Sequence, residues 1–198
     1  LRTDPAAARE ALAAAGIPSE PARRSPDGLV VSGSASGLNQ SAPYRDGALH
    51  IQDEASQLIA PLVAPLPGDA VLDLCAGRGG KTTHLAALME DAGGILAVDI
   101  HPRKLADLET LARRLGATSI RTRTGDAEAD LGEALQARFD RVLVDAPCTG
   151  LGTLVVRWFG FDLRGVPDGD DARRAGLRSS LGSLKREAEA EFTRGGAV

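Results

Sequence analysis

The sequence predicts an α/β protein built on an open, parallel sheet of Rossmann type. Three observations carry this. Short apolar runs recur at 70–74, 95–99 and 141–145, with a weaker one at 119–123. Segments with helical spacing lie between them, at 82–89 and 103–115. A glycine-rich turn follows the first run, and the runs at 95–99 and 141–145 close on Asp99 and Asp145. Strands that alternate with helices need crossover connections, so they pair in parallel. In such sheets ligands gather at the carboxyl ends of the strands.

Residues 1–46 read as an appendage before this core. Asp4-Pro5 is an N-cap followed by proline at the first helical position, and an alanine-rich helix runs to Gly16. Pro18, Pro21 and Pro26 then interrupt the chain. Leu29-Val30-Val31 reads as one short strand, and the Ser/Gly-rich stretch 32–43 as loop. The core occupies 47–154. Asp53 caps a helix with Ala55, Leu58, Ile59 and Leu62 on one face, ended by Pro65, Pro67 and Gly68. Leu105, Leu108, Leu111 and Leu115 mark the inward face of the helix over 103–115, and Gly116 closes it. After Leu154 the alternation stops. The tail 155–198 holds Trp158, Phe159, Phe161 and Phe192, a charged stretch and no convincing fifth strand.

Composition bounds the function. A chain of 198 residues with 43% apolar and 25% charged residues is globular, neither disordered nor collagen-like. Two cysteines and three histidines, without Cys-x-x-Cys or His-x-x-x-His spacing, predict neither a disulfide framework nor a metal site. No apolar run reaches the roughly 18 residues of a membrane span. The expectation is a reduced, cytoplasmic protein. A net charge of −4 argues against bulk electrostatic coating of nucleic acid but leaves room for a local basic groove. The chain opens at Leu1 rather than at methionine, which predicts a piece of a longer protein.

The turn Cys75-Ala76-Gly77-Arg78-Gly79-Gly80-Lys81-Thr82 admits three ligands. A phosphate-cradling P-loop needs glycine where Cys75 stands. A dinucleotide fingerprint needs a third glycine where Thr82 stands. The remaining reading is the S-adenosylmethionine-binding turn of class I methyltransferases. Asp99, 20 residues after Gly79, can accept hydrogen bonds from both ribose hydroxyls, as an NAD site would also require. Asp126 follows the third strand and can meet an adenine amino group. Asp145 ends the fourth strand near the cofactor's methionine end. Asp145-Ala146-Pro147-Cys148 then places a thiol beside a methyl donor. Carbon 5 of cytosine is a poor nucleophile. Thiolate addition at carbon 6 turns the ring into an enamine-like species that can take a methyl group at carbon 5.

Taken together, Ile51-Gln52-Asp53-Glu54-Ala55-Ser56, Asp73-Leu74-Cys75-Ala76, Gly79-Gly80-Lys81-Thr82-Thr83, Ala97-Val98-Asp99 and Asp145-Ala146-Pro147-Cys148-Thr149-Gly150 resemble the Sun/Fmu-type RNA cytosine-C5 methyltransferases. Among these they are most similar to the bacterial 16S ribosomal RNA members. The resemblance implies S-adenosylmethionine as cofactor, with contacts from the turn 75–81 and from Asp99, Asp126 and Asp145. It implies ribosomal RNA as partner, and a partial RNA-recognition-like α+β domain in residues 1–46.

Two departures stand out. The family turn reads Cys-Ala-Ala-Pro-Gly-Gly-Lys-Thr, whereas Gly77 and Arg78 fill its third and fourth places here. The family also carries two cysteines near the base. The resemblance gives the proline-cysteine position, Cys148, a role in product release, and the nucleophile comes from a later Thr-Cys motif. No cysteine follows Cys148 in this chain. A frameshift or truncation near residue 154 is expected, with later strands missing and an exposed sheet edge through which the chain can self-associate. The competing readings are a cofactor-binding pseudoenzyme or RNA-binding module, an NAD-linked oxidoreductase and a small-molecule methyltransferase.

Overall fold

The computed structural model describes residues 4–32, 35–127 and 139–146. The expectations for Pro147-Cys148 and for the tail after Leu154 lie outside them.

The Asp4 carboxylate accepts the Ala6 N–H at 3.2 Å, and Pro5 opens helix α1 (Pro5–Ala14). Strand β1 (Ser19–Pro21) pairs antiparallel with β2 (Leu29–Val31). The sequence reading misses β1 because its prolines signal breaks, yet an edge strand tolerates proline at its end. The expected loop at 32–43 is corrected to two short helices, α2 (Ala35–Gln40) and α3 (Ala42–Arg45). The Ser41 hydroxyl joins them, donating to the Leu38 carbonyl at 2.7 Å and accepting the Tyr44 N–H at 3.4 Å. A serine that reads as loop is here a cap.

Asp53 does cap a helix, accepting the Ala55 and Ser56 N–H groups at 2.9 and 3.3 Å. The single helix expected there is split into α4 (Glu54–Gln57) and α5 (Ile59–Val63). Pro61 has no N–H to donate to the Gln57 carbonyl, so the helical ladder lapses at Leu58.

The core follows the predicted alternation: β3 (Ala70–Asp73), α6 (Gly80–Leu88), β4 (Gly94–Asp99), α7 (Pro102–Leu115), β5 (Ile120–Thr124) and β6 (Arg141–Leu143). The four strands are parallel in the order β5-β4-β3-β6. The chain moves outward from β3 to β5 and then returns to the far side of β3. That reversal is a topological switch point, where open α/β sheets hold their ligands. Val71, Ile95 and Ala97 are buried in the sheet and share one core with Leu85 and Met89 at α6 and Leu105 and Leu108 of α7. Gly116, at φ +72°, ends α7 in the left-handed conformation that glycine adopts at little cost.

The amino-terminal elements and the sheet belong to one compact unit that extends to Ala146. The Glu54 carboxylate accepts the N–H groups of Arg24 and Ser25, and Ser25 donates its hydroxyl to Gln57 at 2.8 Å. At the other end Arg114 lies 4.0 Å over the Tyr44 ring and donates to the Leu49 carbonyl at 3.0 Å. These ties hold the segment 44–57 between the first helices and the sheet.

Candidate functional site

Strand register sets the heights of the site's carboxylates. Asp73 pairs with Ala97 on one side and Leu143 on the other. Asp99 and Asp145 therefore stand two residues, about 6–7 Å, beyond Asp73 toward the carboxyl edge. The turn leaving β3 passes between them. Leu74 N–H donates to the Leu143 carbonyl and Ala76 N–H to the Val98 carbonyl, both at 3.0 Å. Gly77 N–H donates to Asp99 Oδ2 at 2.9 Å.

Two glycines shape this turn. Gly77 sits at φ +56° with open space where a side chain would point, so a ligand can approach the backbone there. Gly79 sits at φ +87°, and a Cβ on it would run into the Leu108 side chain. One glycine opens the turn, and the other lets α7 close against it.

Asp73 is 1% exposed. Its Oδ2 accepts the Thr82 hydroxyl at 2.7 Å, and its Oδ1 is buried without a hydrogen-bond partner. Burial pushes its pKa up to about 6, against the Thr82 hydrogen bond, the Cys75 backbone N–H and the Lys81 charge. Burial also pushes up the Cys75 thiol, helped by the negative charges of Asp73, Asp99 and Asp145. Cys75 is therefore a neutral thiol at physiological pH and a poor nucleophile.

At Asp99 burial opposes the charge, but hydrogen bonds from the His101 N–H, the His101 ring and the Gly77 N–H outweigh it. With Lys104 nearby, they hold its pKa below the ordinary carboxylate value. Lys81 Nζ lies 2.7 Å from Asp145 Oδ2, both side chains being partly exposed. Asp126 follows β5 by two residues, and the Gly125 N–H beside it donates to the Asp99 carbonyl at 3.2 Å. The turn, Asp99, Asp126, Lys81 and Asp145 thus meet at one edge of the sheet. The Arg78 side chain does not join them; it pairs with Asp107 of α7 at 3.4 Å and is largely exposed. Cys148 lies outside the described residues.

Three residues of this site escape the sequence reading. Asp73 reads as a strand residue, although a carboxylate inside an apolar run is itself a signal. Thr82 reads as a failed glycine and as one residue of the Gly79-Gly80-Lys81-Thr82-Thr83 motif, with no role of its own. Ile100, 54% exposed, presents an apolar surface beside Asp99 at the strand end. A separate cavity of about 540 Å³ lies along the other face of α6, lined by Leu12, Leu38, His50, His84 and Leu88 among others. None of Asp73, Asp99 or Asp145 lines it, so it is not the strand-end site.

Among the described residues no group of His, Cys, Asp or Glu could hold a metal ion, and no helix is long and apolar enough to cross a membrane.

The family model described as 16S rRNA methyltransferase RsmB/F matches residues 60–158. The probable ribosomal RNA small subunit methyltransferase B of Bacillus subtilis is 36% identical over 183 residues, covering 91% of this chain and 40% of that protein. The human tRNA (cytosine(72)-C(5))-methyltransferase NSUN6 is 42% identical over 115 residues, covering 52% of this chain and 24% of that protein. The crystal structure of NSun6 from Pyrococcus horikoshii with SFG superposes with a TM-score of 0.52 at 28% identity, over 75% of this chain and 39% of that one. The chain therefore spans less than half the length of these relatives. Its parallel sheet and flanking helices are those of a Rossmann-like class I methyltransferase fold. With the model matching half of its residues and the matched segment carrying the whole turn and the Asp99, Asp126 and Asp145 edge, this chain belongs to the 16S rRNA methyltransferase RsmB/F family.

Proposed function

We propose that this chain forms the cofactor-binding part of an enzyme that transfers a methyl group from S-adenosylmethionine to carbon 5 of a cytosine in RNA, with 16S ribosomal RNA in the cytoplasm as substrate. The carrying observation is the glycine turn held between Asp99 and the Lys81–Asp145 pair at the switch point of the sheet. SFG, bound in a related structure, is an S-adenosylmethionine analogue.

The residues present fit that cofactor. Gly77 leaves open backbone, Asp99 offers an acceptor to a ribose, Ile100 offers an apolar face to a base, and the buried Asp73 offers an unpaired oxygen. Asp126 and Asp145 stand at the two neighbouring strand ends, and the backbone of 75–81 lines the turn. When bound, the cofactor supplies an electrophilic methyl group. The protein's task is to make the cytosine nucleophilic. A thiolate adds to carbon 6, carbon 5 takes the methyl group, its proton leaves to a base, and the thiolate departs.

Two facts separate the thiols. Cys75 stays protonated among three carboxylates. Cys148 is the remaining cysteine of the chain and occupies the family's product-release position. The protonated Cys75 favours a second reading: this chain binds cofactor and RNA without forming the covalent adduct. Residues 1–46 act in either case as part of an RNA-recognition module.

Calorimetry with S-adenosylmethionine and with NAD tests the cofactor, and trapping on 5-fluorocytidine RNA tests the thiol. Binding of S-adenosylmethionine but not NAD, with no adduct, is expected. Binding of NAD alone would overturn the assignment. An adduct abolished by Cys148→Ser would make Cys148 the nucleophile.

A further inference from the structure

We infer that the His101 imidazole occupies an acceptor position on Asp99 that a ribose diol requires, so that cofactor binding displaces the ring. The inference rests on the reading of Asp99 as the ribose acceptor given above.

An ionised carboxylate offers about four lone-pair positions, two on each oxygen. Oδ2 of Asp99 accepts the Gly77 N–H at 2.9 Å. Oδ1 accepts the His101 backbone N–H at 2.8 Å and faces the ring Nδ1 of the same residue at 3.1 Å. Two backbone donors and two ribose hydroxyls fill the carboxylate. Adding the imidazole overfills it by one, and the crowded oxygen is Oδ1.

The donors differ in how freely they can leave. Gly77 is fixed by the turn, which is pinned to β4 and β6 through Ala76 and Leu74. The His101 N–H is fixed by the start of α7. The Asp99 side chain is 9% exposed and cannot turn away, whereas the His101 side chain is 60% exposed. The ring swings into water and exchanges one hydrogen bond for another. To occupy Oδ1 it must carry its proton on Nδ1, the tautomer that donates toward a carboxylate. His101 thus competes with the cofactor for Asp99, and removing the ring strengthens binding.

Isothermal titration of the full chain with S-adenosylhomocysteine decides this, comparing wild type with H101A and H101F. Position 101 makes no side-chain cap to α7, so neither variant removes a helix cap. Affinity is expected to rise about two- to tenfold in both, the range of one net hydrogen bond. Unchanged or weaker binding in both variants would overturn the inference. D99A serves as the reference. If D99A weakens binding about tenfold or more while H101A does not tighten it, the competition alone is refuted. If D99A binds as wild type does, the ribose reading has failed, and the inference falls with it.

Discussion

Asp73→Asn isolates the cost of burying a carboxylate beneath the turn. The Asp73 side chain is 1% exposed, and one of its oxygens has no hydrogen-bond partner. Its pKa stands at about 6 against an ordinary 3.8. The sign follows from proton linkage. Below pH 4 the group is protonated folded and unfolded, and it contributes nothing. As pH rises from about 4 to 6 the unfolded chain releases the proton while the folded chain keeps it, so stability falls. Above pH 6 the loss is complete, at about 3 kcal/mol if the whole difference is expressed. Asparagine removes the charge but weakens the bond from Thr82, which returns about 1 kcal/mol. D73N is therefore expected to be about 1–2 kcal/mol more stable than wild type at pH 8, a rise in Tm of roughly 2–8 °C for a chain of this size. Near pH 4 that advantage should vanish. Thermal melts of both proteins at pH 4, 5, 6 and 8 measure the difference and cancel groups common to both, such as His50 and His84. A D73N that is equally destabilised at pH 4 and pH 8 would refute the reasoning, since Asp73 would then act through packing rather than charge.

Three further outcomes are expected. Asp91 accepts bonds from the N–H and hydroxyl of Thr118 and the N–H of Ser119; these bonds outweigh the effect of burial and hold its pKa at about 2. D91A should cost about 1–2 kcal/mol above pH 4 in denaturant titration, and the difference should shrink as pH falls from about 4 toward 2. G79A combines a left-handed backbone with a clash against Leu108 and should lose about 2–4 kcal/mol in the same assay, whereas G77A, at φ +56° with open space, should lose about 1 kcal/mol and more of its cofactor affinity. Cys75 should alkylate with iodoacetamide at pH 7.5 at least several-fold more slowly than free cysteine, because its thiol is pushed up by burial and by three carboxylates.

Much of the fold is legible before any coordinates. The strands at 70–73, 94–99, 120–124 and 141–143 and the helix ended by Gly116 come from apolar runs and a glycine signal. These are local patterns set by side-chain burial along one segment. The misses are also local in cause. Proline and serine signal breaks between 18 and 43, but Ser41 caps a helix and Pro21 ends an edge strand, while Pro61, inside the expected helix, splits it. Of the site, the turn and the strand-end aspartates are legible because glycine and acidic residues are rare in apolar runs. The redirection of the Arg78 side chain to Asp107 is not, since its partner lies on a different element.

The sequence by itself determined the fold class, the place of the glycine turn and the acids at the strand ends, because those depend on residue type and on spacing along the chain. Only the tertiary structure decided which acids share a surface. β6 lies beside β3 although Leu143 stands 70 positions after its partner Asp73, and that pairing brings Asp145 to Lys81. The same packing buries Asp73, keeps Cys75 protonated and sets the His101 ring against Asp99. Hydrogen-bond competition and desolvation depend on distances between segments that meet only when the sheet closes.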